Sequence, residues 1–304
     1  MKKSTKWIIA GTILCLTALL TGCGTSQTAA GSGQSGKTIT IGSKNFTENI
    51  VLAHIMADLI ENQTDLKVER KVNLGGSNVA WKALLNNDIQ LYPEYTGTIV
   101  GNYYQQETGT SEETLKKTQE LLQQDKLVFT NTFGFNNTYT LAVTQETADQ
   151  YKLQSFSDLA KISSGLIFGG DFEFMDRPDG FPGMNEKYGM TFKDTKGMDH
   201  GIVYRSLLDK KVDVVDAFST DGQIQIHHLV ILKDDQSFFP PYDAGSLVRQ
   251  DALETYPELK AALAKLDGQI TDQDMQEMNA KVDAEGLKAQ NVAHEFLEKK
   301  GLLK

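Results

Sequence analysis

A chain of 304 residues with 30 Lys and Arg against 40 Asp and Glu carries a formal charge of −10, which argues against non-specific nucleic-acid binding and is ordinary for a soluble extracytoplasmic protein. Both cysteines, Cys15 and Cys23, lie near the N-terminus. If the first lies in a removed leader, a disulfide and a cysteine-based zinc site are excluded from the folded part.

Lys2, Lys3 and Lys6 precede the apolar run Trp7 to Leu20, too short and wrongly flanked for a stable transmembrane span, so it reads as a secretory signal. Its end, Leu20-Thr21-Gly22-Cys23, resembles a bacterial lipobox. That likeness implies cleavage before Cys23 and lipidation of its thiol, which anchors by burying methylenes in the bilayer. Removing the three lysines takes the formal charge from −10 to −13. Residues 24–37 are Gly, Ser, Thr, Gln and Ala with one Lys, a composition that forms no core and serves as a flexible tether. Gly31 to Gly36 match a dinucleotide fingerprint in spacing only, because that motif needs a strand before it and a helix after it.

The remaining stretch of about 265 residues is long enough for one large or two ordinary domains. It opens with the alternating strand Thr38 to Gly42, then a helical pattern to about Glu61 whose stripe is Phe46, Ile50, Val51, Ile55 and Leu59. Asn45 followed by Glu48 has the form of a capping box. A strand near Leu66 to Leu74 leads through Gly75-Gly76-Ser77-Asn78 into a second helix carrying Val79, Trp81, Leu84 and Leu85. Strand, turn and helix in repeated order make an α/β sheet the expected class. Asn45 and Ser77 could cap their helices, the commoner role of such residues, or line an anion-holding βα turn.

Tyr92-Pro93-Glu94-Tyr95-Thr96-Gly97-Thr98 then delivers aromatics, a carboxylate and hydroxyls into a turn. Tyrosine faces attract ammonium groups, though a lone strand tyrosine is more often simply half-buried. Strand alternation sets Tyr92 and Tyr95 on opposite faces, which leaves Tyr95 in the structural role. A helix from Ser111 to Gln124, a strand at Leu127 to Phe129 and an alternating segment through Tyr139, Leu141 and Val143 follow. From Thr144 the alternation restarts, with helices near 146–161, 181–188 and 201–210 and strands at Leu166 to Phe168 and Val212 to Phe218, which reads as a second lobe. Phe218 and Ser219 lie at a strand's carboxyl end, where open α/β sheets bind ligands. Pro240-Pro241 fixes an extended path between lobes, and residues 246–304 read as mostly helix returning to the first lobe.

Taken together, the lipobox, Ile41 to Glu48, Tyr92 to Thr98 and Asp216-Ala217-Phe218-Ser219-Thr220-Asp221-Gly222 resemble the substrate-binding lipoproteins of osmoprotectant ABC importers, in the glycine betaine, carnitine and choline branch. The likeness covers the chain after the tether. It implies a two-lobed class II periplasmic-binding-protein fold that closes by a hinge on a quaternary-ammonium ligand in the interlobe cleft. The implied cage falls on Tyr92, Tyr139, Phe218 and Tyr242, with Asn45 and Thr96 at polar positions beside it. Relatives usually carry Tyr where this chain has Phe218, which keeps the π face and loses a phenol hydrogen bond. The expected organisation is a signal at 1–22, a tether at 23–37, a first lobe of 38–141 with 240–304, and a second lobe of 142–239. The expected partners are a quaternary-ammonium solute, importer permease subunits and the membrane through Cys23, with a monomeric chain on the outer face of the bacterial cell membrane. No cofactor, metal or nucleic acid enters this reading.

Other constellations carry less. His227 and His228 are adjacent, cannot share one metal and read as surface residues. Arg177, in an acidic and aromatic loop, braces that loop or meets a ligand carboxylate, the bracing role being preferred. Neither a nucleophile elbow nor a catalytic cysteine is present, so the chain is expected not to be an enzyme. The alternative is an extracytoplasmic enzyme or sensor module acting on quaternary amines on the same scaffold.

Overall fold

The computed structural model describes residues 37–303, so the signal, Cys23 and the tether up to Gly36 lie outside the described residues. Among the described residues ten strands form two five-stranded sheets, and the fold is mixed α/β in two lobes. The first sheet takes β1 (Thr38–Gly42), β2 (Lys67–Lys71), β3 (Leu91–Tyr95), β4 (Leu127–Asn136) and the late strand β10 (Asp243–Arg249), in the order β2-β1-β3-β10-β4. The second takes β5 (Tyr139–Val143), β6 (Ile167–Asp171), β7 (Asp194–Met198), β8 (Val214–Phe218) and β9 (Val230–Leu232), in the order β7-β6-β8-β5-β9. Within the sheets, β1 runs parallel to β2 and β3, and β6 parallel to β7 and β8. The strands that enter from the other lobe, β5 and β10, are antiparallel to their neighbours.

The local reasons are those of amphipathic elements. In β1 the alternation Thr-Ile-Thr-Ile buries Ile39 and Ile41 under the helix Thr47–Gln63, whose Val51, Leu52, Ile55, Met56, Leu59 and Ile60 are also fully buried. That helix is covered in turn by Asp272–Asp283 and Ala289–Lys299, which explains why it is apolar almost all round. Capping boxes start Ser111–Leu122 (Thr110 with Glu113) and Asp272–Asp283 (Thr271 with Asp274).

Three expectations are corrected, and one strand was not foreseen. Asn45 caps nothing: the helix starts at Thr47 with Phe46 at the cap position and no side-chain cap, because Glu48 turns into the interior instead. The changeover between sheets lies at Asn137–Thr138 rather than after 141, since all of β5 pairs within the second sheet. Residues up to Arg249 are strand, because β10 fills the gap between β3 and β4. Finally, β7 has no apolar alternation to announce it, being an edge strand exposed along most of its length.

Candidate functional site

The parallel strands of both sheets direct their carboxyl ends at one another, and the loops that leave them line a partly open cavity. From the first lobe come Lys44, Asn45 and Phe46 after β1, Tyr95 at the end of β3, and Thr98 in the helical turn that follows. From the second come Tyr139 opening β5, Asp171 ending β6, Glu173 and Arg177 just beyond it, His200 after β7, and Phe218 ending β8. Tyr242, beside the start of β10, and Asn137 at the changeover complete the wall.

Aromatic rings make up one side. Tyr139 lies 4.9 Å from Phe218 and 5.4 Å from Tyr242, the latter edge-on at 87°. Phe46 lies 5.1 Å from Phe218 and 6.2 Å from Tyr95, centroid to centroid. These separations bring π faces from both lobes to one place, an arrangement that can hold a cation lacking N–H donors.

Of the six residues expected to bind ligand, Asn45, Tyr139, Phe218 and Tyr242 line this cavity, and Tyr92 and Thr96 do not. Tyr92 is fully buried behind the sheet among Leu84, Ile99 and Phe129, and its hydroxyl donates to Glu94 Oε2 at 2.9 Å. Tyr95 points to the opposite face and takes the place in the wall expected of Tyr92. The parity was right, but the face that opens on the cleft is the other one. Thr96 is buried as a brace, donating to Pro241 O and accepting from Asp243 N at 3.1 Å, and Thr98 two residues on reaches the cavity. Sequence reasoning also missed Phe46, Lys44 and His200. Phe46 fits a helix stripe equally well, so its apolar character alone does not mark it as a wall residue.

Charged groups make up the other side, each cation having an acidic partner. Lys44 Nζ meets Glu94 Oε1 at 2.6 Å and stands 5.0 Å over the Tyr95 ring. The Arg177 guanidinium contacts Asp179 at 2.5 and 2.8 Å and Glu173 at 2.9 Å, and donates to Thr98 Oγ1 of the first lobe at 3.3 Å. It also stands 5.6 Å from the Tyr139 ring and 5.9 Å from that of Tyr242. Arg177 therefore braces its loop as expected, and joins the lobes as well. Glu173 accepts from the Ser77 backbone N–H at 2.8 Å and from the Ser77 hydroxyl. Burial pushes its carboxyl up, but Lys44, Arg177 and Ser77 outweigh burial and hold it down at about 2. Tyr242 donates to Asp179 Oδ2 at 2.9 Å. His200 Nε2 meets Asp221 at 3.1 Å, and Asp221 also accepts from Tyr204 OH and the Phe218 N–H.

Beneath the rings, Glu48 is buried at the junction of the lobes. It accepts from Tyr95 OH at 2.7 Å, Asn137 Nδ2 at 2.8 Å, Thr220 Oγ1 at 2.5 Å and Asn279 Nδ2 at 3.3 Å. Burial raises its carboxyl to about 7 against the pull of those hydrogen bonds. The cavity wall holds no Ser or Cys that could act as a nucleophile. Among the described residues no group of three or more His, Cys, Asp or Glu is placed to hold a metal ion. No helix among them is long and apolar enough to cross a membrane. His227 and His228 are exposed beyond the helix Gly222–Ile226.

Comparison with known proteins gives a consistent result. The carnitine transport binding protein OpuCC of Listeria monocytogenes is 37% identical over 98% of this chain and 97% of its own length. The ergothioneine transport permease/ergothioneine binding protein EgtU of Helicobacter pylori is 36% identical over 88% of this chain, which spans 48% of that longer protein. A crystal structure described as a glycine betaine/carnitine/choline ABC transporter superposes with a TM-score of 0.71 at 35% identity, over 88% of this chain and all of the other. A model for the substrate binding domain of ABC-type glycine betaine transport systems matches residues 37–299. These relatives are transport binding proteins rather than enzymes, and the family serves ABC importers outside the cytoplasm. The chain belongs to the family of substrate-binding domains of ABC-type glycine betaine transport systems.

Proposed function

We propose that this chain captures quaternary-ammonium compatible solutes, of which glycine betaine, carnitine and choline are the type members, and delivers them to the permease of an ABC importer. The observation that carries the reading is the cluster of Tyr95, Tyr139, Phe218 and Tyr242 drawn from both lobes into one cavity wall. A trimethylammonium group is weakly hydrated and has no N–H donor, so rings hold it better than carboxylates do. Four desolvated rings at about 1 to 2 kcal/mol each supply about 4 to 8 kcal/mol, and a micromolar complex needs about 8. The remainder comes from polar contacts to the other end of the solute, for which Asn45, Lys44 and Thr98 are in position.

The chain works as a lipid-anchored monomer, with Cys23 the lipidated residue after removal of 1–22 and with 23–37 the tether. The test of the solute is an intrinsic-fluorescence titration with glycine betaine, carnitine, choline and ergothioneine, itself a trimethylammonium betaine. Titrations are repeated in Tyr95→Ala, Tyr139→Ala and Tyr242→Ala. Affinities unchanged in all three variants would sink the cage. Incorporation of a labelled fatty acid into the wild-type chain and not into Cys23→Ala tests the anchor, and light scattering tests the monomer.

A further inference from the structure

We propose that Asp216 is a buried counter-charge to the solute's ammonium: it keeps its proton in the ligand-free protein and yields it to solvent when a quaternary ammonium enters the cavity, so that capture is linked to proton release. The proposal rests on the quaternary-ammonium reading above and deepens it.

The placement follows from the strand. Asp216 stands two residues before Phe218 in β8, so the two side chains share one face and lie about 7 Å apart along it. Val214 and Phe218 pack in one apolar cluster on that face, while Val215 and Ala217 pack in another with Val203 and Tyr204. The carboxyl thus sits one pleat behind a ring of the cavity wall.

Its surroundings leave the charge unmet. Asp216 is fully buried; its Oδ1 accepts from the Asp171 N–H at 2.9 Å, and its Oδ2 has no hydrogen-bond partner among the described residues. The groups that face it are Asp171 from β6, His200 and Tyr204 from the helix His200–Leu208, and Asp221 from the turn after β8, while its neighbour across β5 is Leu141. His200 is the one cation of that set, and its Nε2 is already taken by Asp221. Three carboxyls therefore share one imidazolium. An isolated carboxylate in such a place costs enough to take up a proton instead, and burial accordingly raises the group to about 7 against the pull of His200.

A permanent cation changes that balance. A unit charge about 10 Å away, at an effective dielectric of about 20, moves a proton equilibrium by about tenfold, and an ammonium seated on Phe218 stands at about that distance. The ammonium itself neither gives nor takes a proton, so the direction is fixed. Binding lowers the proton affinity of Asp216, the released proton goes to solvent, and solute affinity rises with pH through the range in which the ligand-free carboxyl titrates.

The experiment is calorimetric titration with glycine betaine and with choline at pH 6.5, in buffers of different ionisation enthalpy, for the wild type and Asp216→Asn. Fluorescence titrations from pH 5.5 to 8.5 accompany it. Asn keeps an acceptor for the Asp171 N–H and cannot ionise. The wild type is expected to release about half a proton per solute bound at pH 6.5 and to bind about tenfold tighter at pH 8.5 than at 5.5. Asp216→Asn is expected to lose most of the release, to match the wild type at pH 5.5 and to fall about tenfold behind it at pH 8.5. Binding without proton release in the wild type overturns the proposal. So does a release equally large in Asp216→Asn, which would assign the proton to another buried carboxyl such as Glu48. Where the wild type binds one of the two solutes, that solute decides; where it binds neither, the quaternary-ammonium reading is refuted and the proposal falls with it. Should Asp216→Asn fail to fold, infrared difference spectra of the wild type with 13C-labelled aspartate decide, since the label sets Glu48 aside. Loss of the isotope-shifted carboxylic-acid band on binding supports the proposal, and its persistence or absence overturns it.

Discussion

Replacing Glu48 by Gln tests the electrostatics of the junction between the lobes. Glu48 is buried beneath Tyr95, and burial raises its carboxyl from 4.5 to about 7 even though four donors point at it. A carboxyl that holds its proton more tightly when folded stabilises the fold fully below its unfolded value, near pH 4.5, and that contribution is lost as pH rises through about 7. The interval from 4.5 to about 7, at 1.36 kcal/mol for each pH unit, is worth about 3 kcal/mol. Asp216, raised to about 7, and His200, raised to about 10, tilt the wild-type profile in the same sense. The wild type must therefore be compared with the variant at each pH. Urea unfolding followed by fluorescence at pH 4.5, 6 and 7.5 should show the difference, wild type minus Glu48→Gln, falling by about 3 kcal/mol across that range. A flat difference would mean that Glu48 titrates alike in both states. A difference that rises with pH would mean that the four hydrogen bonds defeat burial and hold the carboxyl below 4.5, and the assignment of burial as the dominant effect would be refuted.

Other outcomes follow from the same contacts. Tyr139→Ala should weaken solute binding at least tenfold, since one desolvated ring is worth about 1 to 2 kcal/mol and its neighbours lose their packing partner, whereas Tyr92→Phe should leave affinity unchanged and cost about 1 to 2 kcal/mol of stability for its buried bond to Glu94. Fluorescence titration and urea unfolding separate the two. Arg177→Met should cost about 3 kcal/mol or more, because it strips Glu173 and Asp179 of their buried cation, and it should also lower affinity by removing the bond to Thr98. Gly222→Ala would bring a Cβ to 2.6 Å from Ala280 N, forcing the helices Gly222–Ile226 and Asp272–Asp283 apart. The cost is about 1 to 3 kcal/mol, read as a lower urea midpoint.

The fold was legible where apolar periodicity is clean. Ile39 and Ile41 in β1, the stripe from Val51 to Leu59 and the apolar run of β8 all announce their partners. Two strands were not legible for opposite reasons: β7 is an edge whose side chains face water, and β10 is a central strand whose Ala-Gly-Ser start carries no β-branched signal. The loss of β7 had a consequence at the site. Without a strand ending at Met198, nothing marked His200 as lying just past a strand's carboxyl end. Tyr92 and Tyr95 teach a different limit. Alternation separates their faces, but a strand buried on both sides gives no sign of which face meets the cleft, and only the helix Thr47–Gln63 and the loop before it settle that. Resemblance supplied Tyr139, Phe218 and Tyr242, of which only Phe218 lies within one of the motifs that carry it.

The passage of the chain between its sheets is short at Asn137–Thr138, where Ser219 is tied to both sides of the step through its N–H and hydroxyl. Tyr139 follows that step directly, Phe218 pairs with Tyr139 in the ladder, and Tyr242 precedes β10 at the other passage. Those rings therefore stand at the fulcrum. The bonds from Ser77 to Glu173 and from Thr98 to Arg177 join the two lobes directly. Any parting of the lobes must break those bonds, whereas the ladder keeps Tyr139 and Phe218 together on one sheet. If the chain binds its solute as proposed, the dwell time then depends on the bonds that hold the lobes together as well as on the rings that face the ammonium.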